Sequence, residues 1–273
     1  MIQQNNIILA ANNLVKTYTQ NTGRFGLSSN KINALDDVSI ALKAGSTLAV
    51  VGESGSGKST LARCLLQLQP FDSGEVIFEG CNLAKLDKNA LRAKRQHLQM
   101  VFQDPFASLN PRMKVGEIVG EGLLIHGLGS AAEQKDQVLQ MLKRVGLSAE
   151  DALKYPHQFS GGQRQRIGIA RALVLKPKVV VCDEPVSALD VSVQAQILLL
   201  LKELQQEMRL SYVFISHDLR VVRHIADDIV VMNAGKIVEQ GSIEAVYNAP
   251  QQPYTQQLLS AIPGKAALTK AAA

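Results

Sequence analysis

Cysteine is scarce in this chain of 273 residues: there are three, Cys64, Cys81 and Cys182, far apart and without metal-ligand spacing. An odd, sparse set argues against a disulfide framework and for a reducing compartment. Each reads most simply as a small core or surface residue. Long apolar runs are missing too. The longest, such as Ile197 to Leu201, are far too short to cross a bilayer. The opening residues, Met1-Ile2-Gln3-Gln4-Asn5-Asn6, lack the basic and apolar regions of a signal peptide. The expectation is a soluble, cytoplasmic protein. Nor is charge of one sign concentrated anywhere. The net charge of +5, from 29 Lys+Arg against 24 Asp+Glu, is a mild bias. It suits an anionic nucleotide or the face of a membrane complex, and no run of like charge suggests a nucleic-acid arm.

What is present is ordinary globular composition, 46% hydrophobic and 19% charged, ample for a buried core. Strands are predicted near Ile7–Leu9 and Ala34–Leu42, with a polar hairpin loop from Asn21 to Asn30 between them. Further strands are predicted at Thr47–Val51, Glu75–Phe78, Leu98–Phe102, Val179–Cys182 and Tyr212–Ser216. Residues 88 to about 96 read as a helix. Ile229–Met232 and Lys236–Glu239, joined through Asn233-Ala234-Gly235, read as a hairpin. From Pro105 to His157 apolar residues such as Leu139, Leu142 and Val145 recur at helical spacing, which predicts a helical subdomain inserted into an α/β core. Val193, Ile197, Leu200, Leu201 and Leu204 trace one face of another helix. Lys265 to Ala273 reads as a frayed end.

Gly52-Glu53-Ser54-Gly55-Ser56-Gly57-Lys58-Ser59 fits Gly-x-x-x-x-Gly-Lys-Ser, the phosphate-binding P-loop, between a predicted strand and a predicted helix. A match of four fixed positions arises by accident in a chain this long on the order of 1% of the time. Glycines let the backbone wrap a polyphosphate, and N–H groups with the positive helix end attract it. Gly52 through Thr60 is therefore the candidate nucleotide-binding segment. Lys58 would reach the β- and γ-phosphates, and Ser59 would hold Mg²⁺. Val179 to Cys182 then leads to Asp183-Glu184. Asp183 would contact Mg²⁺ through its water shell, and Glu184 would orient or deprotonate the attacking water. The bland alternative is a strand followed by an acidic turn.

Ser160-Gly161-Gly162-Gln163 opens a helix shortly before that strand. By local physics it is a second anion site at a helix N-terminus. With the P-loop and the Asp-Glu strand, it resembles the signature of ABC ATPases. The resemblance covers about residue 7 to residue 262 and implies a P-loop NTPase (RecA-like) α/β core with an N-terminal antiparallel β subdomain and an inserted helical subdomain. The implied limits are one domain at 7–250 (core about 7–104 and 163–250, helical insert about 105–162) and a tail at 251–273. In the family the signature caps the γ-phosphate of ATP held by the other subunit, which implies a head-to-tail dimer. Gln103 resembles the Q-loop glutamine, which touches Mg²⁺ and the attacking water. Asp190, in Ser187-Ala188-Leu189-Asp190, resembles the D-loop aspartate. His217 resembles the switch histidine at the γ-phosphate, and Tyr18 matches the aromatic that stacks on adenine. Taken singly these are a surface glutamine, a helix cap, a hydrogen-bonded histidine and a half-buried strand aromatic.

Three longer segments are similar to the ATPase subunits of bacterial oligopeptide and dipeptide importers: Gln103 to Arg112, Tyr155 to Gln163 and Asp183 to Ser192. So is the segment Pro250 to Leu259. The resemblance implies MgATP hydrolysis driving solute uptake. It also implies a second ATPase subunit (identical or related), two integral membrane permease subunits and, indirectly, an extracytoplasmic solute-binding protein. The expected location is peripheral, on the cytoplasmic side of the bacterial inner membrane, with no nucleic-acid partner. No cysteine follows Cys182, so the iron–sulfur cluster of some relatives is not expected. The ATPase motifs also fit an exporter, against which the importer-like segments argue, or a non-transport ABC protein acting on ribosomes or DNA, many of which fuse two such domains or insert a long coiled coil that this sequence lacks.

Overall fold

The computed structural model describes residues 6–22 and 28–262. The tip of the predicted 21–30 loop and the predicted frayed end therefore lie outside the described residues. The chain divides into two compact units, one running to Lys85 and resuming at Val213, the other spanning Leu86–Tyr212.

In the first unit, β1 (Ile7–Thr22) and β2 (Ser28–Lys43) form a long antiparallel pair, well beyond the short strands predicted. Then come β3 (Thr47–Val51), α1 (Lys58–Leu65), β4 (Ser73–Phe78) and β5 (Cys81–Asn82). One sheet has the order β2-β1-β4-β5 and is antiparallel throughout. Its β1–β2 register slips several times, near Asn13 and Asp37, both in left-handed backbone. Such bulges break a two-residue alternation and conceal strand length from a periodicity reading.

The second unit holds α2 (Lys88–Arg95), β6 (Leu98–Val101), α3 (Pro105–Ser108), α4 (Val115–His126), α5 (Ala131–Arg144), α6 (Gly161–Leu173), β7 (Val179–Asp183) and α7 (Val191–Met208). β6 and β7 pair in parallel. α5 starts where Ser130 and Glu133 cap each other's backbone amides. Along α7, Ile197, Leu200, Leu201 and Leu204 are buried, as their spacing predicts.

β8 (Ser211–Ser216) carries the chain from the second unit back to the first. There follow α8 (Leu219–Ile225), β9 (Asp228–Asn233), β10 (Lys236–Ser242), α9 (Ile243–Asn248) and α10 (Pro253–Ser260). β9 and β10 make the predicted hairpin, and β9 runs parallel to β3 with Val51 opposite Val231. Every residue of β3 and of β7 is buried. Continuous apolar strands of this kind belong to a parallel sheet covered on both faces. The three cysteines are free, and burial pushes the Cys64 thiol up to about 11. Among the described residues, no helix is long and apolar enough to cross a membrane.

Candidate functional site

β3 ends at Val51 and the chain turns through Gly52–Gly57 into α1. Gly57 stands in left-handed backbone at φ 106°, and a Cβ there would lie 2.3 Å from the Ala34 carbonyl oxygen. Only glycine fits that combination of conformation and approach. Lys58 is 5% exposed. Its ammonium donates to the Gly52 carbonyl at 2.8 Å, the Glu53 carbonyl at 2.7 Å and Ser56 Oγ at 3.3 Å. The Ser56 amide donates to the Glu53 carbonyl, and Gly235 donates to the Ser56 carbonyl. Loop carbonyls are thus drawn toward the lysine, and the loop leads into the positive N-terminal end of α1. A loop braced in this way, glycine-lined and at the positive end of a helix, fits a polyphosphate.

Elsewhere in this unit, β1 presents Tyr18, 40% exposed. The Gln69 amide donates to its hydroxyl, and the Lys16 ammonium lies 5.7 Å from its ring centroid. Lys16 also pairs with Asp72 at 3.3 Å. The Thr17 amide, followed by Lys16, holds the Asp72 carboxyl below the usual carboxylate range. His217 follows the end of β8 at Ser216, and His217 and Gly52 line one cavity of about 290 Å³. Sequence reasoning missed Tyr254, whose hydroxyl accepts from the Glu53 amide at 3.2 Å.

In the second unit the parallel register decides what meets. Val101 of β6 lies opposite Cys182 of β7. Two residues beyond each stand Gln103 and Glu184, and Gln103 Nε2 donates to Glu184 Oε2 at 3.1 Å. Asp183 is 5% exposed. Glu184 has φ 46°, a left-handed conformation that costs a non-glycine residue about 1–3 kcal/mol and clusters at functional positions. Its carbonyl accepts from the Ser187 amide and hydroxyl, which closes the turn.

Ser160 caps α6. Its Oγ accepts from the Gln163 amide at 3.3 Å, and Gln163 Oε1 accepts from the Ser160 amide at 3.0 Å. This reciprocal box follows from Ser-x-x-Gln before a helix. A Cβ on Gly162 would come within 2.5 Å of Val193 Cγ1 on α7. The signature turn thus lies against the segment that contains Leu189 and Asp190. Asp190 is the α7 N-cap residue, without a side-chain capping bond. Gln194 instead ties that turn down, donating to the Val186 and Leu189 carbonyls at 3.0 Å each. Arg164 stacks on the Phe106 ring at 3.9 Å and donates to the Pro156 carbonyl at 2.7 Å. It joins the signature helix to the segment after Gln103, a role that its place inside the motif did not reveal.

For Mg²⁺ the sequence offers Ser59, Gln103 and Asp183, all hard oxygen donors suited to that ion. Gln103 points its nitrogen at Glu184, so its amide oxygen is the atom it could offer a cation. Among the described residues no three His, Cys, Asp or Glu side chains cluster to hold a metal. The cation would therefore depend on phosphate and water oxygens, as Mg²⁺ at nucleotides does.

Residues 35–187 match the family described as ABC transporter. That stretch contains the P-loop, Gln103, the signature and Asp183-Glu184, with Tyr18, Asp190 and His217 outside it. The chain is 52% identical to the dipeptide transport ATP-binding protein DppF of Haemophilus influenzae, over 96% of this chain and 80% of that one. It is 54% identical to the oligopeptide transport ATP-binding protein OppF of the same organism, over 85% and 70%. Among solved structures, the dimeric post-hydrolysis ATP-binding cassette MJ0796 with ADP and phosphate superimposes with a TM-score of 0.75. It shares 32% identity over 86% of this chain and 98% of that one. The α/β architecture with its antiparallel subdomain is accordingly that of an ABC cassette, and the chain belongs to the ABC transporter family, as one of its ATPases.

Proposed function

We propose that this chain is the ATP-hydrolysing subunit of an importer for dipeptides, oligopeptides or similar solutes. The names of its relatives support the substrate class. The observation that carries the hydrolytic reading is the Glu184 carboxylate held on Gln103.

Residues 7–250 act as one ATPase domain, with core segments 7–104 and 163–250, a helical insert at 105–162 and a tail from 251. Gly52 to Thr60 binds the phosphates of ATP, and Tyr18 stacks on adenine. Lys58 and His217 stabilise charge that develops on the γ-phosphate. Glu184 orients the attacking water and takes its proton, and Gln103 keeps that carboxylate aimed. Ser59, Gln103 and the water shell of Asp183 would hold Mg²⁺, which would supply charge that neutralises the phosphates. Ser160 to Gln163 caps the γ-phosphate of ATP on a second ATPase subunit, and Asp190 lies along the same subunit boundary. Closure excludes bulk water, and hydrolysis lets the pair reopen. The segment after Gln103 and the helical insert pass that motion to two permease subunits, fed by an extracytoplasmic binding protein. The chain works at the cytoplasmic face of the inner membrane.

Purification from membranes tests this. The chain should copurify with two integral membrane proteins, and vesicles carrying the complex should take up labelled dipeptide only with internal or external ATP on the side of this subunit. Uptake that ignores ATP, or copurification with ribosomes instead, contradicts it.

A further inference from the structure

We propose that Tyr254 is a positioning residue for the P-loop, so that α10 is part of the ATPase machinery; this rests on the ATPase reading above. The geometry passes through a single residue. The Glu53 amide donates to the Tyr254 hydroxyl at 3.2 Å, and the Glu53 carbonyl accepts from the Lys58 ammonium at 2.7 Å. One peptide unit on each side of Glu53 is therefore fixed, the first by the tail helix and the second by the phosphate-binding lysine. Glu53 is otherwise exposed, at the start of the loop. Without the hydroxyl, that turn would be held from the lysine side alone.

The tail helix is itself anchored. Glu239 of β10 accepts from the amides of Gln251 at 2.8 Å and Gln252 at 3.1 Å, just before α10 begins. A carboxylate at a helix N-terminus is favoured by the helix dipole as well as by these bonds. Thr255 and Leu259 are buried beneath the helix. Tyr254 projects from its first turn, where the anchor is tightest. Further along, Leu258, Ala261 and Ile262 wall the cavity that contains Gly52 and His217. The same short segment therefore touches the start of the P-loop and borders the side chain assigned to the γ-phosphate.

The hydroxyl acts on ground state and transition state alike, because it sets the loop that grips the phosphates in both. Its loss should therefore appear in ATP affinity rather than in turnover. The test uses the full chain in its transporter complex, with ATP as the probe. In Tyr254→Phe, which keeps the ring, Kd and KM for ATP should rise together about three- to tenfold, the range of one hydrogen bond, with kcat within about twofold. Glu239→Gln keeps the hydroxyl but loosens its anchor, and should raise KM in the same direction by less. A Tyr254→Phe protein with lowered melting temperature and wild-type Kd and KM would make Tyr254 merely structural and overturn the proposal. Wild-type complex that neither binds nor hydrolyses ATP would overturn the ATPase reading itself, and this inference with it.

Discussion

Gln103 and Glu184 meet through one hydrogen bond, Nε2 to Oε2 at 3.1 Å, two residues beyond the point where β6 and β7 pair Val101 with Cys182. The carboxylate is thus aimed by sheet register, on a backbone held in left-handed conformation at φ 46°. Glu184→Gln should bind ATP normally and lose turnover by about 10² or more, the usual worth of a positioned general base. Steady-state hydrolysis beside equilibrium ATP binding checks this, and near-normal turnover would remove Glu184 from its assigned role.

Gly57 is constrained twice, by φ 106° and by the Ala34 carbonyl 2.3 Å from where a Cβ would lie. Gly57→Ala should cost about 1–3 kcal/mol of stability and weaken ATP binding sharply. Urea unfolding and ATP titration of the same preparation test both halves. An alanine variant of unchanged stability would show that the loop can move away from β2.

The Gly162–Val193 contact predicts a coupled pair. Gly162→Ala forces a methyl to within 2.5 Å of Val193 Cγ1 and should tilt the signature turn, sparing ATP binding by the isolated subunit while reducing cooperative hydrolysis. Val193→Ala should restore part of the loss, because close neighbours fail to add. Additive effects in this double-mutant cycle would argue that the contact does not set the turn.

Acid should loosen the tail helix. Burial raises the Glu239 carboxyl, but hydrogen bonds from the Gln251 and Gln252 amides lower it further, so the folded value lies below normal. A depressed carboxyl stabilises the fold fully above its unfolded value, about 4.3, and that contribution disappears as pH falls through the folded value. The gap in unfolding midpoint between wild type and Glu239→Gln should therefore be widest near neutrality and close as pH falls through the folded value. A gap independent of pH would contradict the anchoring charge.

Much of this was legible in the sequence, for identifiable reasons. Leu48–Val51 and Val179–Cys182 are unbroken apolar runs, and both emerged in wholly buried strands. Ser160-Gly161-Gly162-Gln163 was read as opening a helix, and Ser160 caps α6 there. β1 and β2 were read as short because their bulges break the alternation. Tyr254 was invisible for another reason. α10 is glutamine-rich with two buried residues, so it looks like solvated tail. Its anchor, Glu239, sits on a strand whose register a local pattern does not reveal, and hydrogen bonds to backbone amides leave no mark on composition.

The central claim is that the P-loop of one subunit and the Ser160–Gln163 turn of another grip the same nucleotide. The most direct measurement is the structure of the assembled Glu184→Gln transporter trapped with MgATP. The account predicts two ATP molecules at the boundary between ATPase subunits, with Lys58 and the partner's signature turn on one triphosphate. ATP bound to the P-loop with every signature turn facing solvent would contradict it.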